Sequence, residues 1–358
     1  MNIDFAIAAG VFLASALAVV YFGSQLAKYG DALATLTGWG RLFVGSILLA
    51  VATSLPELST NISAVRLSPP NPELAVGNGL GANMINMFTL ALVALFFGGK
   101  GFLQRVAPQQ AYLILLAAVM TGAAVLFGAV RMEVSFWQIG LSSFILLGIF
   151  VAGMRIVFVT RPQQEDGEEP EERPSVTLRG AWVMFGLVCT GVTIAGFFLA
   201  WSTDQIAEIT GVASSTLGIL AVSVVTTMPE AAATIAAVRM GAVDLGVSGL
   251  FGSCVFNVTI LAYADPFYRS GILNNQTEAS HFVAGIIAIL LILAALVLIL
   301  GQNRVGRIMA RAGLALMAAI YIAGAVAVIW LGAEDSTDSK RTSETSPSHA
   351  PQKDRAQA

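Results

Sequence analysis

The chain has 358 residues, with 19 Lys and Arg against 22 Asp and Glu and a formal net charge of -3. Hydrophobic residues make up 56% of it and charged residues only 11%, at a mean hydropathy of +0.77. Such values exclude a soluble globular domain, a nucleic-acid partner and, with only two cysteines, a disulfide scaffold; the composition is that of an integral membrane protein in a lipid bilayer.

A helix of about 20 apolar residues crosses a bilayer. In chain order, ten such windows are predicted at 5–27, 42–66, 77–98, 109–130, 135–157, 180–202, 212–238, 246–264, 282–301 and 311–332. The alternation of a membrane β-barrel is absent, so the fold class is all-α. No basic stretch precedes the first window, which is therefore expected to stay as a span rather than be cleaved. Cys189 and Cys254 fall inside windows and read as small buried residues. Residues 161–177 (RPQQEDGEEPEERPSVT) are acidic and rich in Pro, a solvated linker expected on the cytoplasmic side, and 334–358 read as a disordered tail. With the N-terminus placed outside, twelve Lys and Arg from Lys28 to Arg311 fall on the cytoplasmic side, against Arg66, Arg131 and Arg269 opposite. That asymmetry, with ten spans, puts both termini outside.

The chain repeats itself. TSLPELSTNISAVR (53–66) recurs as TTMPEAAATIAAVR (226–239), and ELAVGNGLGANMIN (73–86) as DLGVSGLFGSCVFN (244–257). The organisation is thus a first five-helix repeat over 1–160 with a signature at 50–86, the linker, and a second repeat over 178–333 with a signature at 223–257. Five spans per half is an odd number, so the second half sits upside down relative to the first. Inverted repeats of this kind are typical of secondary transporters, whose ion sites lie where the halves meet and helices are interrupted.

Each repeat carries a Pro and a Glu in an apolar stretch. Pro56 and Pro229 have no N–H to offer the preceding turn, so carbonyl oxygens around Ala52–Thr53 and Val225–Thr226 lose their partners. Glu57 and Glu230 follow Thr53 and Thr226 by four residues, placing hydroxyl and carboxylate on one helix face. Two carboxylates within spans need a counter-charge, and no Lys, Arg or His lies in the span interiors near them. A bound metal ion is the simplest source. All candidate donors are oxygens, which suits a hard cation and excludes zinc or copper. Two bidentate glutamates with the carbonyls of Thr53 and Thr226 make about six ligands, in the range calcium takes. Asn86 and Asn257, on the Gly-containing helices, are candidates to add amide oxygens or water contacts at the same centre.

ATSLPE with GANMIN, and VTTMPE with GSCVFN, resemble the paired signature repeats of prokaryotic-type sodium/calcium exchangers in the cation/calcium exchanger superfamily. The likeness spans essentially all ten windows. It implies an antiporter of the prokaryotic inner membrane that exchanges calcium for sodium, with no cofactor and no enzymatic activity. Position by position, Glu57, Glu230 and the carbonyls of Thr53 and Thr226 would hold calcium. Ser54, Thr227 and Ser253, with backbone at Ala50 and Ser223, would serve flanking sodium sites, and Asn86 and Asn257 would line the middle. Ala82 departs from the family pattern, which has Ser where Ser253 stands in the second copy, so one flanking sodium site lacks a hydroxyl. Ala52 and Val225 replace a common Gly, and neutral Asn86 and Asn257 stand where potassium-dependent relatives have Asp.

An empty cavity with two like charges is costly to close, so only loaded states are expected to cross, and protons are expected to compete with calcium for the pair. A proton/calcium antiporter of the same fold is the alternative, opened by Ala82. An intramembrane enzyme using two glutamates finds no HExxH and no nucleophile–base pair, its only histidines being His281 and His349. A passive channel would share the ligands but not drive calcium uphill.

Overall fold

The structure is a computed structural model that describes residues 3–66, 68, 70–160, 174–210 and 222–345. The first half comprises α1 (Ile3–Thr37), α2 (Arg41–Thr53), α3 (Leu55–Arg66), α4 (Pro72–Phe96), α5 (Gln110–Val130) and α6 (Leu141–Val159). The second comprises α7 (Leu178–Thr210), a described turn of helix at 222–226, α8 (Met228–Arg239), α9 (Val243–Ala264), α10 (Ala279–Leu300) and α11 (Arg307–Thr345). Among the described residues, eight helices are long and apolar enough to cross a membrane, or nine when the bent pair α2 and α3 counts as one span. The fold is all-α and built of two repeats, as the sequence predicts. Part of the window at 212–238 lies outside the described residues, as does the acidic linker up to residue 173.

Local chemistry moves several boundaries. α1 runs ten residues beyond its apolar window and stops before Gly38 and Gly40, whose φ of 68° and 82° only glycine adopts easily. α4 starts five residues earlier than its window. The Asn71 side chain accepts from the Leu74 N–H at 3.0 Å and Pro72 takes the first helical position, both signals of a helix start. Residues 135–140, placed by hydropathy in the fifth span, instead form a hairpin of β1 (Ser135–Phe136) and β2 (Ile139–Gly140). Its two-residue turn, Trp137–Gln138, has positive φ at both positions, which matches the strand twist and leaves Trp137 exposed. The predicted disordered tail is corrected over 334–345, which continue α11 as helix. No Gly or Pro falls between 333 and 346, and extending an existing helix needs no new nucleus; residues 346–358 lie outside the described residues. Cys254 is buried as expected, but Cys189 is only half-buried, and neither is in a disulfide.

The two signature helices form the centre. α9 is buried throughout its apolar window and α4 over 72% of its own, and they pack on each other. Around them α5, α10 and α11 build the largest apolar core, while α1 lies along α7 and α8. Apolar helices in lipid gain nothing from hydrophobic exclusion, so close approach through small residues holds them. Gly252 on α9 and Gly81 on α4, repeat equivalents, both mark such approaches. A Cβ on Gly252 would sit 2.5 Å from the Ser46 carbonyl oxygen and 2.9 Å from the Ala50 Cβ; one on Gly81 would sit 2.9 Å from the Ser223 hydroxyl. Since Ala50 and Ser223 are themselves repeat equivalents, each half seats its signature glycine against the other half's broken helix.

Buried Asp265 anchors the loop after α9. It accepts from the N–H of Gly140 and of Leu273, each at 2.7 Å, and from the Ser143 hydroxyl at 2.8 Å. Three donors satisfy a carboxylate without a counter-ion.

Gly252→Ala is expected to destabilise the protein by ~1–3 kcal/mol through overpacking against backbone. Gly148→Ala, where a Cβ would meet nothing within 4 Å, should be neutral or slightly stabilising. Thermal denaturation of both variants in detergent checks the pair.

A candidate ion site at the helix breaks

The two helices that carry the Pro–Glu pairs break at the same place in their repeats. α2 and α3 meet at Ser54 (φ -91°, ψ 13°) with a 45° bend. The 222–226 turn and α8 meet at Thr227 (φ -83°, ψ 1°). These bridge-region conformations are sparsely populated and recur at functional positions. The Ser54 N–H still reaches the Ala50 carbonyl at 3.0 Å and the Thr227 N–H the Ser223 carbonyl at 3.1 Å. Two residues later Pro56 and Pro229 offer no N–H, which removes the helical partners of the Ala52 and Val225 carbonyls. Ahead of the first break the chain also widens into π-helix over Gly45–Leu49, with the Ala50 N–H bonded back to Gly45. Such bulges often accompany functional sites, and no sequence pattern announced this one.

The breaks aim the two glutamates inward. Glu57 has no exposed surface and Glu230 is 2% exposed. The Ser54 hydroxyl, from the first half, donates to Oε1 of Glu230, from the second, at 2.8 Å. The two carboxylates lie close enough to act on each other electrostatically. Neither has an ion-pair partner among the described residues. Among the described residues, both oxygens of Glu57 and Oε2 of Glu230 lack a hydrogen-bond partner, as do both amide atoms of Asn86 and Oδ1 of Asn257. Buried polar atoms without partners are rare and costly; of the thirteen such atoms among the described residues, six belong to these four residues.

The remaining nominated residues divide unevenly. On one flank the Ser253 hydroxyl stands 3.5 Å from Oε1 of Glu230 and 3.5 Å from the Thr53 hydroxyl, which itself donates to the Leu49 carbonyl at 3.0 Å. On the other flank the Thr226 hydroxyl lies beside Glu57 without closing a bond to it. Thr227, the repeat mate of Ser54, does not face a carboxylate: its hydroxyl donates to the Ser223 carbonyl at 2.8 Å, within its own helix. Ala50 and Ser223 are fully buried beside the breaks.

Three asparagines that sequence reasoning passed over complete the site. Asn83 gives its Nδ2 to the Thr121 hydroxyl and to the Cys254 carbonyl, each at 3.1 Å, and its Oδ1 accepts from Nδ2 of Asn257 at 3.1 Å. That bond turns the Asn257 oxygen away from Asn83 and leaves it open as an acceptor. Asn78 gives its Nδ2 to Oδ1 of Asn61 at 2.8 Å, while its own Oδ1 faces the hydroxyls of Ser223 at 3.2 Å and Thr226 at 3.4 Å. The signal was present in the sequence: Asn61, Asn78 and Asn83 are amides within apolar stretches, where an unpaired polar group is costly. Thr121 and Thr193 bond preceding helix carbonyls at 2.8 Å, as expected of hydroxyls in spans.

Carboxylates, hydroxyls, amide oxygens and freed carbonyls form a donor set for hard cations. Among the described residues no cluster of three or more His, Cys, Asp or Glu could hold a metal, so such a site has two anionic ligands and otherwise neutral oxygens.

The pattern of the family described as sodium/calcium exchanger protein matches residues 7–159 and 180–330. The inner membrane protein YrbG of Escherichia coli (strain K12) is 26% identical over 269 residues, covering 71% of this chain and 78% of YrbG. Solved structures of the sodium-calcium exchanger NCX_Mj share the fold. The one soaked with 10 mM Na+ and zero Ca2+ superposes with a TM-score of 0.66 at 19% identity, over 89% of this chain and 97% of that one. The one soaked with 100 mM Na+ and 10 mM Sr2+ gives 0.66 at 18% identity over the same shares, 89% and 97%. The chain belongs to the sodium/calcium exchanger protein family.

Calcium titrated into the detergent-solubilised chain is expected to raise its melting temperature, with stabilisation approaching ~2.7 kcal/mol at a hundredfold excess over Kd. Glu230→Gln should remove most of that response, as differential scanning fluorimetry reads it.

Proposed function

We propose that this member of the family is a secondary antiporter that exchanges calcium for sodium across a membrane by alternating access. One observation carries the reading: Glu57 and Glu230, one from each inverted half, are buried together without a counter-charge, beside helix breaks that free main-chain oxygens. Each carboxylate alone would cost several kcal/mol at such a depth. A divalent cation between them cancels both charges and supplies the missing partners.

In this reading Glu57 and Glu230, with the carbonyls of Thr53 and Thr226, bind calcium. Asn86 and Asn257 complete the centre through their open amide atoms. Ser54, Ser253 and the backbone at Ala50 belong to one sodium flank, and the backbone at Ser223 to the other. The Thr227 hydroxyl, bonded within its own helix, would have to turn to join. Sodium ions entering the flanks share oxygens with calcium, so the two cargoes compete and cannot both fill the site. An empty site keeps its negative charge and does not close. A calcium-filled or sodium-filled one is close to neutral, and the halves rock about it. The resident membrane is a prokaryotic inner membrane, as the name of the inner membrane protein YrbG suggests for its relative, with both termini outside, in line with the Lys and Arg asymmetry.

The absence of a hydroxyl at Ala82 favours a second reading, in which a proton replaces sodium on the flank of Glu57. Calcium-45 uptake in proteoliposomes separates the two. Uptake is expected against an outward sodium gradient and not against an equal potassium or proton gradient; the reverse dependence on protons selects the second reading. Glu57→Gln and Glu230→Gln should each cut uptake by about a hundredfold or more, since each removes a charge that the transported state neutralises. Exchange retained in both variants would overturn the assignment.

A further inference from the structure

The two flanks of the site are not built from the same residues, and the differences pair off. Where the second copy has the Ser253 hydroxyl, the first has Ala82. Where α9 of the second copy has Gly249 and packs on Ala50 of the first copy's broken helix, α4 of the first copy has Asn78 and packs on Ser223 of the second copy's broken helix. Asn78 and Ala82 are one turn apart on the same face of α4. Across the pseudo-twofold the contacts match: Thr53 meets the Ser253 hydroxyl at 3.5 Å, and its repeat mate Thr226 meets Oδ1 of Asn78 at 3.4 Å.

We propose that Asn78, with the Ser223 hydroxyl beside it, supplies the cation-binding oxygen that Ala82 lacks, and so sets the sodium affinity of the flank next to Glu57. The inference rests on the sodium coupling proposed above. Three observations support it. Asn78, Ser223 and Thr226 are at most 1% exposed, so their oxygens face one another rather than solvent, and the Thr226 hydroxyl lies beside Glu57. Asn61, equally buried, accepts from Nδ2 of Asn78 at 2.8 Å, which fixes the amide with its oxygen toward the flank; Asn61 is a positioning residue. Gly81 leaves the space that lets Ser223 come this close, since a Cβ there would stand 2.9 Å from its hydroxyl. An amide oxygen is a pure acceptor with no proton to turn aside, and so a hard-cation ligand at least as good as the hydroxyl it replaces.

The test compares two half-saturation values in proteoliposomes of the full chain: internal sodium for sodium-driven calcium-45 uptake, and calcium for calcium-for-calcium exchange without sodium. Asn78→Ala is expected to raise the sodium requirement about tenfold, as loss of one ligand to a charged group does, and to shift the calcium requirement at least about fivefold less. Adding Ala82→Ser to Asn78→Ala should bring the sodium requirement back toward the parent value. If Asn78→Ala loses all transport, Ser223→Ala carries the test, with an expected rise of about threefold in the sodium requirement alone. Equal shifts for both cations, an unmoved sodium requirement, or no rescue by Ala82→Ser overturns the role of Asn78 and leaves sodium–calcium exchange standing. A parent chain that exchanges calcium for calcium but ignores a sodium gradient overturns both.

Discussion

Two acidic side chains buried side by side, with no basic residue paired to them among the described residues, are the constraint on which the rest of this structure turns. In a soluble core, carboxylates so placed would be paired or bonded by several donors, as Asp265 is by Gly140, Ser143 and Leu273. Among the described residues the Glu57 carboxylate receives no hydrogen bond and that of Glu230 is bonded through one oxygen only. The contrast within one molecule separates an acid that holds a loop from a pair whose charge is left for something else to satisfy.

The surroundings of the pair follow from the same constraint. Breaks at Ser54 and Thr227 turn main-chain oxygens out of the helical ladder, and glycines at 81 and 252 bring the halves close enough for oxygens of both to converge. Two buried amides act in parallel: Asn83 holds Nδ2 of Asn257 and Asn61 holds Nδ2 of Asn78, so each fixes its partner's oxygen toward the site. Buried amides are costly when unpaired; tethering one end leaves the Asn257 oxygen open at the site and turns the Asn78 oxygen to the Ser223 and Thr226 hydroxyls. In the proposed mechanism that cost is met by the cargo, which explains why only a filled site would be able to close.

The twofold logic is approximate, and its failures are informative. Ser54 reaches across to Glu230, whereas Thr227 bonds to its own helix; Ser253 faces a carboxylate, whereas Ala82 has nothing to offer. An inverted repeat lets each half diverge on the flank it builds while both share the centre. The two acids are therefore equivalent in the repeat and unequal in their neighbours.

Much of this was legible in the sequence. Hydropathy located the spans, the recurrence of TSLPE as TTMPE exposed the repeat, and paired Pro and Glu in apolar stretches nominated the residues that the structure gathers, because burial of a charge and loss of a backbone donor are local facts written in residue type. Boundaries set by capping, such as Asn71–Pro72, and by the Trp137–Gln138 turn were also local, but hydropathy alone does not register them. Only the tertiary structure decided which hydroxyls face a carboxylate, that helix α2 carries a π-turn, and that Asn61, Asn78 and Asn83 tether the site. Those outcomes depend on the rotation and approach of helices distant in the chain, and a sequence fixes the face on which a side chain lies without fixing what stands opposite it.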